Sequence, residues 1–156
     1  MLKVLGLGNL LRGDDSIGPL IIEKLQQLDL AEPIQLYDIG MDAFSMLDHL
    51  LGPVPLLIID CAKMGKKPGE IVTFQLRDAD LKYINSIIAL HSIGFSEIYQ
   101  MAKSIGTVAD CSIIGIEPKS IEYNSAISRE VAGSIPKIIE MVIKEAKHYA
   151  KKDLNN

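Results

Sequence analysis

The chain contains 156 residues, of which 48% are hydrophobic and 23% are charged, and its formal net charge is −4. This length supports one substantial hydrophobic core but not two ordinary domains, so a single domain over residues 1–156 is expected. The negative charge and the lack of a lysine and arginine stripe argue against nucleic acid as a partner. The sequence has neither a leader-like N-terminal pattern nor an apolar run of the roughly 20 residues that a membrane span needs, so a cytoplasmic protein without a membrane partner is expected.

The first half of the sequence predicts two units of strand, loop and helix. An apolar run over residues 2–7 predicts a buried strand that leads into a glycine-rich loop. Apolar positions at helical spacing from residue 17 to residue 28 predict a helix, with Asp15 or Ser16 as its N-cap. The second unit is predicted to contain a strand, an exit loop and a helix, over residues 34–37, 38–40 and 42–51.

The second half continues the alternation with less regular spacing. A predicted strand over residues 56–59 ends at Asp60, and the next, over residues 70–76, follows so closely that a hairpin-like or edge position is expected. A helix, a strand and a long amphipathic helix are then predicted, over residues 92–105, 111–116 and 128–150. Residues 153–156 are expected to fray.

Strands that alternate with helices, several of them apolar on both faces, are typical of a layered α/β fold. We therefore predict a three-layer sandwich in which a mainly parallel, twisted sheet of about five strands is flanked by helices. In open sheets of this kind, ligands bind in the crevice beyond the carboxyl ends of the strands. Polar residues at those ends are the first candidates for function.

Three aspartates occupy such positions. Asp15 lies in the loop after the first strand, Asp38 directly follows the second, and Asp60 ends the third. A single aspartate of this kind is as often a helix cap or a loop brace as a ligand. A carboxylate at the end of an apolar strand must nevertheless find water, a cation or a hydrogen-bond donor, and its recurrence at three strand ends favours the ligand interpretation.

His91 is the fourth candidate, in an apolar stretch just before a predicted helix. A lone histidine in such surroundings is more often a hydrogen-bonded core residue than a ligand. Together with two or three carboxylates, however, it completes an oxygen and nitrogen set suited to a divalent first-row metal, with coordination positions left open. A site with so few side chains suits a metal that a partner brings.

Other catalytic motifs do not fit. The Gly6-Leu7-Gly8 start resembles a dinucleotide fingerprint, but Leu11 replaces its last small residue and the Asp14-Asp15 pair would repel a pyrophosphate. The sequence contains no P-loop, no Gly-x-Ser-x-Gly elbow and no His-Glu-x-x-His. The two cysteines, Cys61 and Cys111, lie in or beside apolar runs and are predicted to be reduced, mostly buried thiols.

Four blocks of the sequence resemble, in order, the motifs of the hydrogenase maturation proteases. The first is residues 6–18, which read Gly-Leu-Gly-Asn-Leu-Leu-Arg-Gly-Asp-Asp-Ser-Ile-Gly, and the others are residues 58–62, 91–94 and 115–122. The resemblance extends from residue 2 to about residue 143. Two features depart from the pattern. Glycine is frequent in that family at the positions of Ser16 and Asn124, and some members have glutamate at the position of Asp15.

This resemblance implies an endopeptidase that removes the C-terminal extension of a nickel-iron hydrogenase large-subunit precursor after nickel insertion. In that family the residues matching Asp15, Asp60 and His91 bind the substrate's nickel. The metal is then carried by the substrate, the partner is the precursor, and no tightly bound resident cofactor is expected. The resemblance leaves the catalytic residues unknown, with Asp38 as a possible base or ligand-orienting group, or only a loop brace.

Two alternatives stay open at this stage. In the first, the chain is a related hydrolase with its own resident metal. In the second, it is a non-catalytic nickel checkpoint that binds the immature subunit without cutting it. Retention of metal through dialysis distinguishes the first, and stable complex formation without cleavage distinguishes the second.

Overall fold

The computed structural model describes residues 1–77, 81–88 and 94–154. The described residues form five strands, namely β1 (Leu2–Leu7), β2 (Ile34–Gly40), β3 (Leu56–Cys61), β4 (Ile71–Gln75) and β5 (Cys111–Ile116). They also form five α-helices, namely α1 (Ile17–Gln26), α2 (Ala43–Leu50), α3 (Leu81–Ile87), α4 (Phe95–Ile105) and α5 (Arg129–Leu154), and a 3-10 turn at Gly13–Ser16.

The strands form one sheet in the order β2-β1-β3-β5-β4. β1 pairs in parallel with both β2 and β3, and β3 pairs in parallel with β5, so the carboxyl ends of these four strands meet at one edge of the sheet. β4 alone runs antiparallel, against β5. The predicted α/β sandwich with a mainly parallel, five-stranded sheet is confirmed.

The edge position predicted for the fourth strand is correct, but a hairpin with the third strand is wrong. β5 lies between them, with Leu56 of β3 opposite Cys111 of β5 and Ile71 of β4 opposite Ile116 of β5. All six residues of β5 are buried, whereas β4 is partly exposed. A strand that is apolar on both faces gains most from an interior position, which explains the order.

Several predicted boundaries also need correction. β2 continues to Gly40, so Asp38 lies inside the strand rather than in an exit loop, because Leu7 of β1 still pairs with Gly40. Helix α3 was not predicted, although Leu81 and Ile84 already show its buried spacing. Helix α5 runs through Leu154 instead of fraying at residue 153. The predicted start of the preceding helix at residue 92 lies outside the described residues.

Two hydrophobic cores lie on opposite faces of the sheet. Alternate residues of each central strand point to alternate faces, as the pleat requires. One face packs against α1 and α5 and buries residues such as Val4, Ile59 and Ile138. The other packs against α2, α3 and α4. Among the helices that the structure describes, none is both long and apolar enough to span a lipid bilayer.

Helix α1 packs unusually close to the sheet because two glycines face each other. A Cβ on Gly18 would lie 2.1 Å from the carbonyl oxygen of Leu7 and 2.8 Å from that of Ile59. A Cβ on Gly6 would lie 2.5 Å from the carbonyl oxygen of Gly18. Backbone atoms cannot yield as a flexible side chain can, so this contact between α1, β1 and β3 requires glycine.

We predict that Gly18→Ala lowers the free energy of unfolding by about 1–3 kcal/mol or more, because the added methyl forces α1 away from the strands. Gly133→Ala is the matched control, since Gly133 is at an exposed position of helix α5 and a Cβ there meets nothing within 4 Å. That control should stabilise the protein by roughly 0.5–1 kcal/mol. Urea denaturation of both variants measures the difference, and equal effects would contradict the close-packing argument.

Candidate active site

The loop after β1 fixes Asp15 at the carboxyl edge of the sheet. Gly8 has φ 128°, and a Cβ on it would lie 1.9 Å from the Asp15 carbonyl oxygen, so the loop and the 3-10 turn touch through backbone atoms. The backbone N–H of Asn9 donates to Asp15 Oδ2 at 3.1 Å, and the N–H of Leu11 donates to Asn9 Oδ1 at 2.9 Å. Ser16 is the N-cap residue of α1 as predicted, but its side chain makes no capping bond and instead donates to Gly13 O at 2.6 Å.

Asp60, at the end of β3, is only 3% exposed. Burial raises the pKa of Asp60 well above its ordinary value of 3.8, and the negative charge of Asp15 raises the pKa further. One hydrogen bond opposes this shift, because the N–H of Cys61 donates to Asp60 Oδ1 at 2.7 Å. The structure therefore brings Asp15 and Asp60 close enough for their charges to interact at the edge of the sheet.

Asp15 lines a cleft of 120 Å³, which we call the Asp15 cleft, together with Cys61, Lys63, Asn85, Ser86, Ile87, Ile88 and Ile121. Its wall includes the end of α3, and Ile88 precedes His91 by three residues in the sequence. His91 itself lies outside the described residues. Within residues 1–77, 81–88 and 94–154, no group of three or more His, Cys, Asp or Glu side chains is arranged to hold a metal ion.

Asp38 lies in a different cleft, of 330 Å³, lined by Gly8, Asn9, Leu10, Pro19, Asp38, Gly40 and Met41. Its Oδ1 accepts a hydrogen bond from the N–H of Gly40 at 2.9 Å, the geometry of a side chain that braces its own turn. This bond supports the loop-bracing role that the sequence left open. The Gly8-Asn9 segment lines this cleft and contacts Asp15, which lines the other.

Two buried acids near the site were not assigned from the sequence. Asp14 is 1% exposed and bonds to the loop between β5 and α5, as described below. Glu117 directly follows β5, and its Oε2 accepts a hydrogen bond from the N–H of Met64 at 2.6 Å, which braces the segment after β3. Glu117 follows a strand that is apolar apart from Ser112, and an acid at the end of such a strand was a signal available in the sequence.

The backbone conformation at Asn124 explains why asparagine can replace the glycine that is frequent there in the family. It has φ 58°, the left-handed conformation that glycine adopts freely and that asparagine tolerates better than most residues. Its N–H donates to Leu11 O at 2.9 Å, so the position contributes to contact between the two loops at the site.

Both cysteines are free and buried, as predicted. Burial raises the pKa of the Cys61 thiol, which lines the Asp15 cleft, and the nearby charges of Asp60 and Asp15 raise it further. Burial likewise raises the pKa of the Cys111 thiol. Because the thiolate is the nucleophilic form, two thiols that stay protonated at neutral pH are poorly suited to attack a peptide bond.

We predict that Cys61→Ala and Cys111→Ala, alone or together, leave the activity that the family resemblance implies within about threefold of that of the unchanged protein, because two protonated thiols are not needed for it. Thermal unfolding of each variant measures any packing cost separately. Loss of activity in a folded double variant would instead identify a thiol as a nucleophile or a ligand.

We predict that Asp60→Asn stabilises the metal-free protein at pH 7, by roughly 1 kcal/mol or more, the usual scale of a buried polar penalty. The amide oxygen can still accept the Cys61 N–H, while the buried charge and its repulsion with Asp15 are removed. Asp29→Asn, a change at an exposed acid, is the matched control and should have little effect.

The stabilisation should depend on pH in a defined direction. Below about pH 3.8 the Asp60 carboxyl is protonated in both folded and unfolded states and carries no penalty. As pH rises above that value and through the raised folded-state pKa, the unfolded state releases its proton first, so the unsubstituted protein loses stability relative to Asp60→Asn. Urea denaturation from pH 4 to pH 8 tests this, and a difference that is constant or shrinks with rising pH would contradict it.

Comparison with solved structures places the fold among peptidases. A hydrogenase maturating endopeptidase from Escherichia coli superposes with a TM-score of 0.82, covering 95% of this chain and 93% of its own at 24% identity. A [NiFe] hydrogenase maturation protease from Thermococcus kodakarensis superposes with a TM-score of 0.74, covering 93% and 98% at 26% identity. These similarities show that the chain has the α/β fold of hydrogenase maturation endopeptidases.

Sequence comparisons identify the family. The family model described as hydrogenase maturation protease matches residues 19–145. A candidate hydrogenase maturation protease from Methanocaldococcus jannaschii is 31% identical over 151 residues, covering 91% of this chain and 86% of the relative. The chain belongs to the hydrogenase maturation protease family and is a peptidase of that family. The family and enzyme class predicted from the sequence are confirmed.

Proposed function

We propose that this peptidase recognises its substrate through nickel that the substrate already holds, with Asp15, Asp60 and His91 as the enzyme's ligands. As a hydrogenase maturation endopeptidase, the chain processes the C-terminal end of a nickel-iron hydrogenase large subunit. The proposal adds that the C-terminal extension is removed only after nickel insertion. The metal is then part of the substrate and not a resident cofactor.

The observation that carries the proposal is the juxtaposition of two carboxylates at the carboxyl edge of the sheet, one of them almost fully buried. Asp60 is costly to ionise beside Asp15, because burial and repulsion both oppose the second negative charge. A divalent cation reverses this balance, since it attracts both carboxylates and replaces the proton on Asp60. The pair is therefore better suited to a metal ion than to a structural role.

The proposed ligand set is incomplete, and this supports a metal delivered by the partner. Asp15, Asp60 and His91 supply one nitrogen and two carboxylates, which leaves coordination positions for donors from the substrate. Such a set binds free nickel weakly. It gains affinity when the precursor supplies the other ligands in a fixed arrangement. The entropy cost of association is then incurred once, and all the contacts of the complex together offset it. An apo precursor lacks this interaction and should not be cleaved.

The chemistry follows from a cation shared by enzyme and substrate. A metal ion held by both enzyme and substrate would either polarise the scissile carbonyl or lower the pKa of a bound water so that it attacks that carbonyl, and neither route would need a serine or cysteine nucleophile. Asp38, in the neighbouring cleft, either accepts a proton or orients a ligand in this reaction, or only braces the turn at Gly40.

We predict that nickel-loaded precursor is cleaved, whereas apo precursor and zinc-loaded precursor are not, and that serine- and cysteine-directed inhibitors have no effect.

Asp60→Ala and His91→Ala should each reduce cleavage by more than about 100-fold without unfolding the protein, because a lost ligand costs more than a lost supporting residue. Asp29→Ala and His148→Ala, both exposed, are the matched controls. Mass spectrometry of the product and thermal unfolding of each variant provide the measurements.

Each alternative gives a different result. Efficient cleavage of apo precursor would remove nickel from recognition. Metal retained in stoichiometric amount through dialysis of the purified protein would indicate a hydrolase with a resident metal. A stable complex with nickel-loaded precursor that is never cleaved would indicate a checkpoint protein. A large loss of stability in His91→Ala would favour the core-histidine interpretation.

A further inference from the structure

Asp14 forms a dense hydrogen-bond network in the interior of the protein. Its Oδ2 accepts from the N–H of Lys119 at 2.7 Å, the N–H of Ser120 at 3.1 Å and the hydroxyl of Ser128 at 2.9 Å. Its Oδ1 accepts from the N–H of Ser128 at 2.6 Å. All four donors belong to residues 117–128, which we call the β5–α5 loop, and the side chain of Asp14 is therefore its central acceptor.

The same two segments are joined by backbone contacts on either side of Asp14. The N–H of Asp14 donates to Ser120 O at 2.9 Å, and the N–H of Asn124 donates to Leu11 O at 2.9 Å. Nε of Arg12 donates to Ile121 O at 3.3 Å. The loop after β1 and the β5–α5 loop are thus held together as one unit.

Asp15 is the next residue in the same 3-10 turn, Gly13–Ser16. Successive side chains in a 3-10 helix are about 120° apart, so anchoring Asp14 to one loop sets the direction of Asp15. Asp15 instead accepts from Asn9 and interacts electrostatically with Asp60. One acid of the pair is thus a buried anchor and its neighbour lines the cleft.

We infer that Asp14 is a positioning residue for the nickel site, because it fastens the 3-10 turn to the β5–α5 loop and so fixes where Asp15 points. The inference rests on the proposed nickel-binding role of Asp15. Asp14 contacts neither the Asp15 cleft nor the substrate in this scheme, and it acts only through its neighbour. Residues that orient metal ligands in this way typically contribute 10–100-fold to metal affinity or activity.

Asp14→Asn is a demanding test because the amide fits in neither orientation. Both carboxylate oxygens accept backbone N–H groups, so either orientation of the amide turns its NH₂ towards a backbone donor. Glu122→Gln is the matched control, an exposed acid in the same loop. Ser128→Ala is a milder variant that removes one donor to Asp14 and also the bond from the N–H of Val131 to Ser128 Oγ at the start of α5. Ser125→Ala is its control, since Ser125 bonds to Glu122 O.

The experiment titrates Ni²⁺ alone into each enzyme and follows paramagnetic broadening of backbone amide signals near Asp15. This readout samples folded molecules, so a loss of stability by itself does not move the apparent Kd. We expect the Kd for Ni²⁺ to rise about 10–100-fold in Asp14→Asn and several-fold in Ser128→Ala. Glu122→Gln and Ser125→Ala should match the unchanged protein, and cleavage of nickel-loaded precursor should fall in parallel with affinity.

Asp15→Asn separates the two levels of the argument. If Asp15→Asn weakens Ni²⁺ binding while Asp14→Asn does not, the positioning role is overturned and the proposed ligand remains. If Asp15→Asn has no effect on binding or cleavage, the proposed nickel role of Asp15 is itself wrong. If Asp14→Asn fails to fold, Ser128→Ala decides, and an unchanged Kd in that variant overturns the inference.

Discussion

The backbone contact between Gly18 and the two central strands is the constraint on which the site depends. It places α1 against the carbonyl oxygens of Leu7 and Ile59, and Ile59 immediately precedes Asp60. Asp15 precedes Gly18 by three residues, so the same contact that packs the helix also brings the turn carrying Asp15 towards the end of β3. A larger residue at position 18 would disturb the core and the site together.

The two acids at the site lower the stability of the protein, and the proposed function accounts for this cost. A buried carboxylate beside a second acid lowers stability at neutral pH. If the pair had no function, replacing Asp60 with a neutral residue would stabilise the protein. In the proposed function a bound cation removes this conflict, because it attracts both carboxylates. Because the cation is proposed to arrive with the substrate, the unfavourable charge pair would also make the enzyme selective for a metal-loaded partner.

The rigidity of this arrangement comes from loops and not from the sheet alone. The sheet supplies the edge, but residues 117–128 must be held against the loop after β1 before Asp15 has a fixed direction. Asp14 provides most of the side-chain hydrogen bonds for this, and Asn124, in its left-handed conformation, provides a backbone bond. Two segments far apart in the sequence thus contribute Asp15 and Ile121 to the wall of the Asp15 cleft.

The sequence by itself determined the strands, the main helices and the three-layer class, because apolar runs and helical spacing are local properties. Residues 2–7 and 111–116 are strands with the predicted bounds, and Asp15 and Asp60 were selected because their chain positions mark strand ends. Only the tertiary structure decided that β5 separates β3 from β4, that Asp38 belongs to another cleft, and that Asp14 is an anchor while Asp15 lines the Asp15 cleft. These features depend on contacts between residues up to 114 positions apart, which a local pattern does not encode.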